Sequence, residues 1–230
     1  MYLCKTREGL LFLNLREDRY LSVCGQELEC LAALVPGWPI SAADEISTEN
    51  DDRTTQVAQA LQQAGLLTAD LIAGKSADPP RPPRGASSVL EQQCSYARSR
   101  NVALLLVHLA YATLKVSCIL RFRSLECAIR KARQRKRIYL SPAELSDSDR
   151  IATLTNDFLR LRPLVYASRN KCLYDCLVLL EFLSRFGLFP TLVIGVTTFP
   201  FKAHCWLQHG TLVLTDYAEH VSSYTPILVV

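Results

Sequence analysis

The chain has 230 residues, 49% of them hydrophobic and 21% charged, which is enough material for one large domain or two small ones with real cores. Its nine cysteines, an odd number, exclude a complete disulfide framework. The formal net charge of +4 is unevenly divided: residues 1–75 hold 6 Lys+Arg against 11 Asp+Glu, residues 76–230 hold 20 against 11, and such asymmetry points to two parts with different partners.

The opening "MYLCKTREGL" carries Lys5, Arg7 and Glu8 where a signal peptide would need an apolar core. The expected compartment is therefore the cytoplasm, with reduced thiols, most of them small buried apolar residues. Short runs rich in Leu, Tyr, Phe and Val at 2–5, 10–15 and 19–23 read as strands. "GQELECLAALV" (25–35) and "DDRTTQVAQALQQAGLL" (51–67) place apolar residues at helical spacing, the second capped by Asp51 or Asp52 and ended by Gly65. Three strands and two or three helices in such a length describe a small winged-helix-like module, or a purely structural appendage.

"AGKSADPPRPPRGASS" (73–88) holds four prolines, two glycines and three serines, and cannot sustain a helix or a central strand. It marks a boundary that coincides with the change in charge. The domain division is 1–75, a linker at 76–88, and 89–230.

Beyond the linker, 89–99 and 101–120 are apolar at helical spacing. "VALLLVHLAYATLKVSCIL" (102–120) is long enough to span a bilayer, but Lys115 lies well inside it and His108 near its middle. A buried core helix, with no membrane, is the simpler expectation. "RFRSLECAIRKARQRKR" (121–137) carries eight basic residues against one acidic. It reads as a solvated face, or as a patch for an acidic peptide or nucleotide. With Phe122 its only aromatic, no nucleic-acid partner is expected. A further helix begins after "SPAELSDSDR" and runs to about Leu161.

From Arg169 the texture changes to one helix and then strands. "CLYDCLVLLEFLSRFGLFP" stops at Gly187 and Pro190, "TLVIGV" (191–196) is a buried strand, and "AHCWLQ" and "TLVLTD" flank a His209-Gly210 turn. Asn170 sits where an N-cap belongs, which places Cys172 in the first helical turn. There free N–H groups, the helix dipole, Arg169 and Lys171 favour a thiolate. Cys176, one turn deeper among leucines, reads as core. "CLYDC" lacks a second pair for a metal and has one residue too many for a dithiol redox motif. A buried, inert Cys172 remains open on these residues alone. His204 at the start of one strand and Asp216 at the end of the next can supply a base and an orienting carboxylate, with His209 and His220 as rival bases.

The segment "CLYDCLVLLEFLSRFGLFPTLVIGVTTFPFKAHCWLQHGTLVLTD" resembles the C-terminal domain of lasso peptide biosynthesis B proteins, a branch of the transglutaminase-like cysteine proteases. The residues that carry the resemblance are Cys172-Leu173, "SRFG", "LVIGV", "PFKAHCW" and Asp216. The resemblance implies Cys172 as nucleophile, His204 as general base and Asp216 as its orienting partner. Cys205 departs from the pattern, standing where that family usually has a small residue such as alanine. Because it alternates away from His204 on the strand, it is expected to leave the assignment intact.

"GLLFLNLREDRYLSV" is similar to the leader-binding element of peptide-modifying enzymes. This implies leader capture by Arg19, Tyr20 and Leu21 at a sheet edge and by Val57 and Leu61 on a helix. The whole is then an α+β protein: a winged-helix-like leader-binding module followed by a helical plus antiparallel-sheet, transglutaminase-like (papain-like) domain. The implied activity is removal of the leader from a lasso precursor peptide, which hands the core to an ATP-dependent, asparagine-synthetase-like lasso cyclase. An acyl-transfer enzyme and a non-catalytic escort of the cyclase are the alternatives. No cofactor motif is recognisable, and any nucleotide dependence is left open.

Overall fold

The computed structural model describes residues 1–7, 9–23, 35, 37–39, 51–68, 70, 77, 80–82, 84–92, 101–139, 148–167 and 172–230. The helix expected over 25–35, most of that over 89–99, and the cap at Asn170 lie outside them. The architecture is α+β.

Three strands, β1 (Tyr2–Lys5), β2 (Leu10–Asn14) and β3 (Arg19–Val23), form an antiparallel meander with β2 in the centre and β3 at one edge. Both faces of β2 are apolar and buried. Leu10 and Phe12 pack with Trp38 and with Leu61 of α1 (Asp51–Gln63). Leu11 and Leu13, together with Leu15 and Cys4, belong to the same core as the helices and strands of the C-terminal part. The meander is therefore joined to the rest by core packing as well as by the Pro-rich segment.

That segment also does more than connect. Its end, β4 (Ser87–Ser88), adds a parallel edge strand to a second sheet of order β4-β7-β6-β5-β8, whose other members are β5 (Thr191–Thr198), β6 (Phe201–His209), β7 (Leu212–Val213) and β8 (Thr225–Val229). An edge position suits a Pro-rich approach, since proline cannot donate into a central ladder. Gly85 is required there, because a Cβ would meet Val213 Cγ2 at 2.6 Å.

Four helices precede or cover this sheet: α2 (Val102–Phe122), α3 (Leu125–Tyr139), α4 (Ser148–Val165) and α5 (Cys172–Ser184). Only one side of α2 enters the core, through Leu105, Leu109, Ala112 and Val116. Leu104, Val107, Tyr111, Leu114 and Phe122 are exposed, so the expectation of a buried helix holds only for the single stripe that enters the core. Among the described residues it is the one helix long and apolar enough to cross a membrane.

Two residues of the basic run turn inward. Arg135 and Lys115 each donate at 2.6 Å to the buried carboxylate of Glu181 on α5, and Lys136 donates to Thr191 Oγ1 at 2.6 Å. Glu181 thus ties α2 and α3 to the helix that carries Cys172. Both cations keep partial access to solvent, so Glu181→Ala should destabilise the fold by about 3 kcal/mol, the low end for removing one member of a buried ion pair. Urea unfolding with no midpoint change would show the network to be energetically idle.

Candidate active site

Cys172 is the first residue of α5, and the first turn is fastened from below. Asp175 accepts from Arg162 Nη1 at 2.9 Å and from Tyr166 Oη at 3.0 Å, both on or just after α4. β6 passes beneath this end of the helix. Along β6, β7 pairs with Gln208 and His209 alone, and past it Leu214 N–H donates to the Leu207 carbonyl and Thr215 Oγ1 accepts from the Leu207 N–H. Along a strand, backbone groups two residues apart point the same way. The peptide of Cys205 therefore opens on the side that β7 leaves uncovered, where the Cys176 thiol donates to its carbonyl at 3.4 Å. The N–H and the thiol of Cys205 both hydrogen-bond to Cys172.

His204 lies on the opposite face of β6, stacked near Trp206 and tilted against Tyr224. Gly195, directly across the ladder from His204, makes this possible: a Cβ there would meet Tyr224 Cβ at 2.8 Å and the Trp206 ring at 2.9 Å. His204 Nε2 is 2.5 Å from Asp216 Oδ2. With that nitrogen engaged, the other faces the hydrogen bond to Cys172 that also shifts both groups.

The electrostatics follow. Hydrogen bonds from the Cys205 thiol and from His204 outweigh burial and hold the Cys172 thiol at about 4 rather than 9.0. Burial alone would lower His204, but its bonds to Asp216 and to the Cys172 thiolate carry it up to about 9. Asp216 falls to about 2, because bonds from His204, His220 and the Tyr217 N–H outweigh its burial. At neutral pH the site is a thiolate–imidazolium pair anchored on a carboxylate.

The structure brings Cys172, His204 and Asp216 together, with one difference from the expected placement. Asp216 does not end a strand: β7 closes at Val213 and Asp216 sits in the bend before α6 (Ala218–Ser222). Its main-chain carbonyl accepts from Ser88 Oγ of β4 at 2.5 Å. His220, read from the sequence as a rival base, is instead a second partner of Asp216, with Nδ1 2.8 Å from Oδ2. Its signal was the four-residue spacing from Asp216, one helical turn. Cys205 does not stand apart from the site, as its alternation with His204 implied. It touches Cys172 because α5 lies on the face that His204 leaves. The ligand atoms of His204, Asp216 and His220 lie within 4.8 Å of one another, close enough for a metal ion, though both imidazoles already share the carboxylate by hydrogen bonds.

Of the leader-binding candidates, Tyr20 packs edge-to-face on Phe201 at 5.3 Å. Its hydroxyl is pushed up to about 12, chiefly by burial, then by Asp18 and by the charges of Cys205 and Cys172. Tyr20 is thus within electrostatic range of the cysteine, and Arg19 and Leu21 are exposed on the edge strand β3. Leu61 is a core residue at 6% exposure and Val57 packs on the same cluster. Leu61 does not present a contact surface, because the helix turns this stripe toward Leu10 and Phe12.

A family model described as the transglutaminase-like superfamily matches residues 105–229, more than half of the chain and all of the residues just described on α5, β6 and the bend that follows. No curated protein and no solved structure matches the chain.

Proposed function

From a chain that belongs to the transglutaminase-like superfamily, whose members are typically cysteine proteases or acyl-transfer enzymes, we propose a leader peptidase of lasso peptide maturation. The observation that carries the catalytic part is the thiolate of Cys172 held between Cys205 and a His204 anchored on Asp216. The thiolate attacks the carbonyl at the leader–core junction, and N–H groups at the start of α5 face the developing oxyanion. His204 gives its proton to the departing amine of the core, leaving the leader as a thioester on Cys172. It then takes a proton from water, which releases the leader as a carboxylic acid. The resemblance of the "PFKAHCW" segment to lasso B proteins supports this substrate, and the edge position of β3 supports leader capture by strand addition. The freed core passes to a lasso cyclase.

Incubation with a precursor peptide, with and without the cyclase, tests the reading. Free leader and core support it. A new amide bond to an added amine would make the protein an acyl-transfer enzyme, and an intact precursor would make it an escort.

The pair also fixes a pH profile. Below about 4 Cys172 gains a proton and the nucleophile is lost. Above about 9 His204 loses the proton that the leaving amine needs. The expected kcat/KM is a plateau between these limits, the two values belonging to the coupled pair. Iodoacetamide should label Cys172 at an undiminished rate well below neutrality. A rate that declines from alkaline pH, as for a free thiol, would show that no ion pair forms.

A further inference from the structure

We propose that Cys205 is a resolving thiol for Cys172, so that peroxide converts the two into a reversible disulfide that closes the site. This rests on the reading of Cys172 as the reactive thiolate. Cys172 is partly exposed at the start of α5, where a small oxidant reaches it, while Cys205 is 3% exposed. The Cys205 thiol donates to the Cys172 thiolate and has Cys176 close by, so it is near both thiols of α5. Cys176 is already committed, donating to the Cys205 carbonyl at 3.4 Å and lying 3.7 Å from Thr215 Oγ1. The peptidase mechanism uses the Cys205 thiol only as a hydrogen-bond donor to the Cys172 thiolate, a part that a hydroxyl also fills.

The chemistry balances with hydrogen peroxide as oxidant. The Cys172 thiolate attacks one peroxide oxygen and the O–O bond breaks. Hydroxide leaves and takes up a proton as water, and Cys172 is left as a sulfenic acid. The Cys205 sulfur then gives up its proton and attacks the Cys172 sulfur. The S–O bond breaks, the oxygen leaves with that proton as a second water, and the S–S bond forms. Two thiols are oxidised and one peroxide is reduced to two waters. The order of events is built in. While Cys172 is a thiolate, its hydrogen bond, followed by that of Cys176 and by burial, holds the proton on Cys205. Conversion of Cys172 to a neutral sulfenic acid removes the largest of these constraints, so Cys205 gives up its proton more readily than before. The product blocks attack on substrate and shields Cys172 from irreversible oxidation, and an external dithiol restores both thiols.

The test uses the full chain treated with a small excess of hydrogen peroxide, then alkylated and read by mass spectrometry. The expected product has lost two hydrogen atoms, tandem fragmentation assigns the bond to Cys172–Cys205, and dithiothreitol reverses it. Under the same dose Cys205→Ala should carry Cys172 as sulfinic acid, two oxygens heavier, which dithiothreitol does not recover. Should that variant fail to fold, Cys205→Ser, which keeps a hydroxyl donor, should give the same result. A Cys172–Cys176 bond, a sulfinic acid in the wild type without any cross-link, or full recovery of the Cys205 variants would overturn the proposal. The readout is a covalent bond rather than turnover. A protein that forms the bond but cleaves no precursor would therefore sink the peptidase reading alone, and one that cleaves but forms no bond would sink this one alone.

Discussion

Cys172→Ala should lower kcat/KM for precursor cleavage by at least ~10⁴-fold while leaving the unfolding transition in place, since a nucleophile has no substitute within its own triad. The contrast is Cys176→Ala. Its thiol is 1% exposed and donates to the Cys205 carbonyl, so its loss should cost about 1 kcal/mol of stability and little rate. Reverse-phase separation of the peptide products gives the rate, and urea titration gives the stability. If iodoacetamide abolished activity by labelling Cys176 rather than Cys172, the assignment of the nucleophile would be wrong.

His204→Ala should fall within about tenfold of the Cys172 variant, because without the imidazole the thiol is no longer held ionised and the leaving amine has no acid. Asp216→Asn should be milder, a loss of ~10²–10³-fold, since the ring remains and only its orientation and charge are compromised. The geometry adds a second signature. The hydrogen bond to Asp216 is the first of the interactions that raise His204 above 6.5, so in Asp216→Asn the alkaline limb of the pH profile should move down from about 9. A purely structural role for Asp216 would lower the rate without moving that limb. If His220→Ala abolished cleavage and His204→Ala did not, His220 would be the base and the hydrogen bond of His204 to Asp216 merely a clamp.

Elements whose order is local were legible in the chain. The three N-terminal strands fall where the runs rich in Leu, Tyr, Phe and Val placed them, and β5 extends the "TLVIGV" run by two residues. Cys172, His204 and Asp216 were legible as residue types at workable spacing, although only packing brings them into contact. What could not be read depends on which surfaces meet. The composition of α2 shows that it is apolar, but whether one stripe or all of it is covered is decided by its packing against α3, α4 and α5. β8 was missed because it pairs with β5, more than twenty residues earlier, with a register shift at Ile194/Gly195. Asp216 leaves the strand because its carboxylate is pulled toward three donors at once. Cys205 was misjudged because alternation along a strand assigns faces correctly but does not say that a helix end can reach around to both.

The strand at the end of the Pro-rich segment bears on how such a polypeptide could be divided between two genes. Composition invites a break anywhere in the connector, up to Ser88. The hydrogen bonds do not: Ala86 N–H donates to Thr211, Val89 N–H to Val213, and Ser88 Oγ to the carbonyl of Asp216 itself. An open reading frame that began after Ser88 would encode every residue of the triad and yet leave the carbonyls of Asp216 and Thr211 without these partners. A viable second gene therefore has to start before Gly85, and the few codons upstream of the apparent domain belong, by function, to its active site.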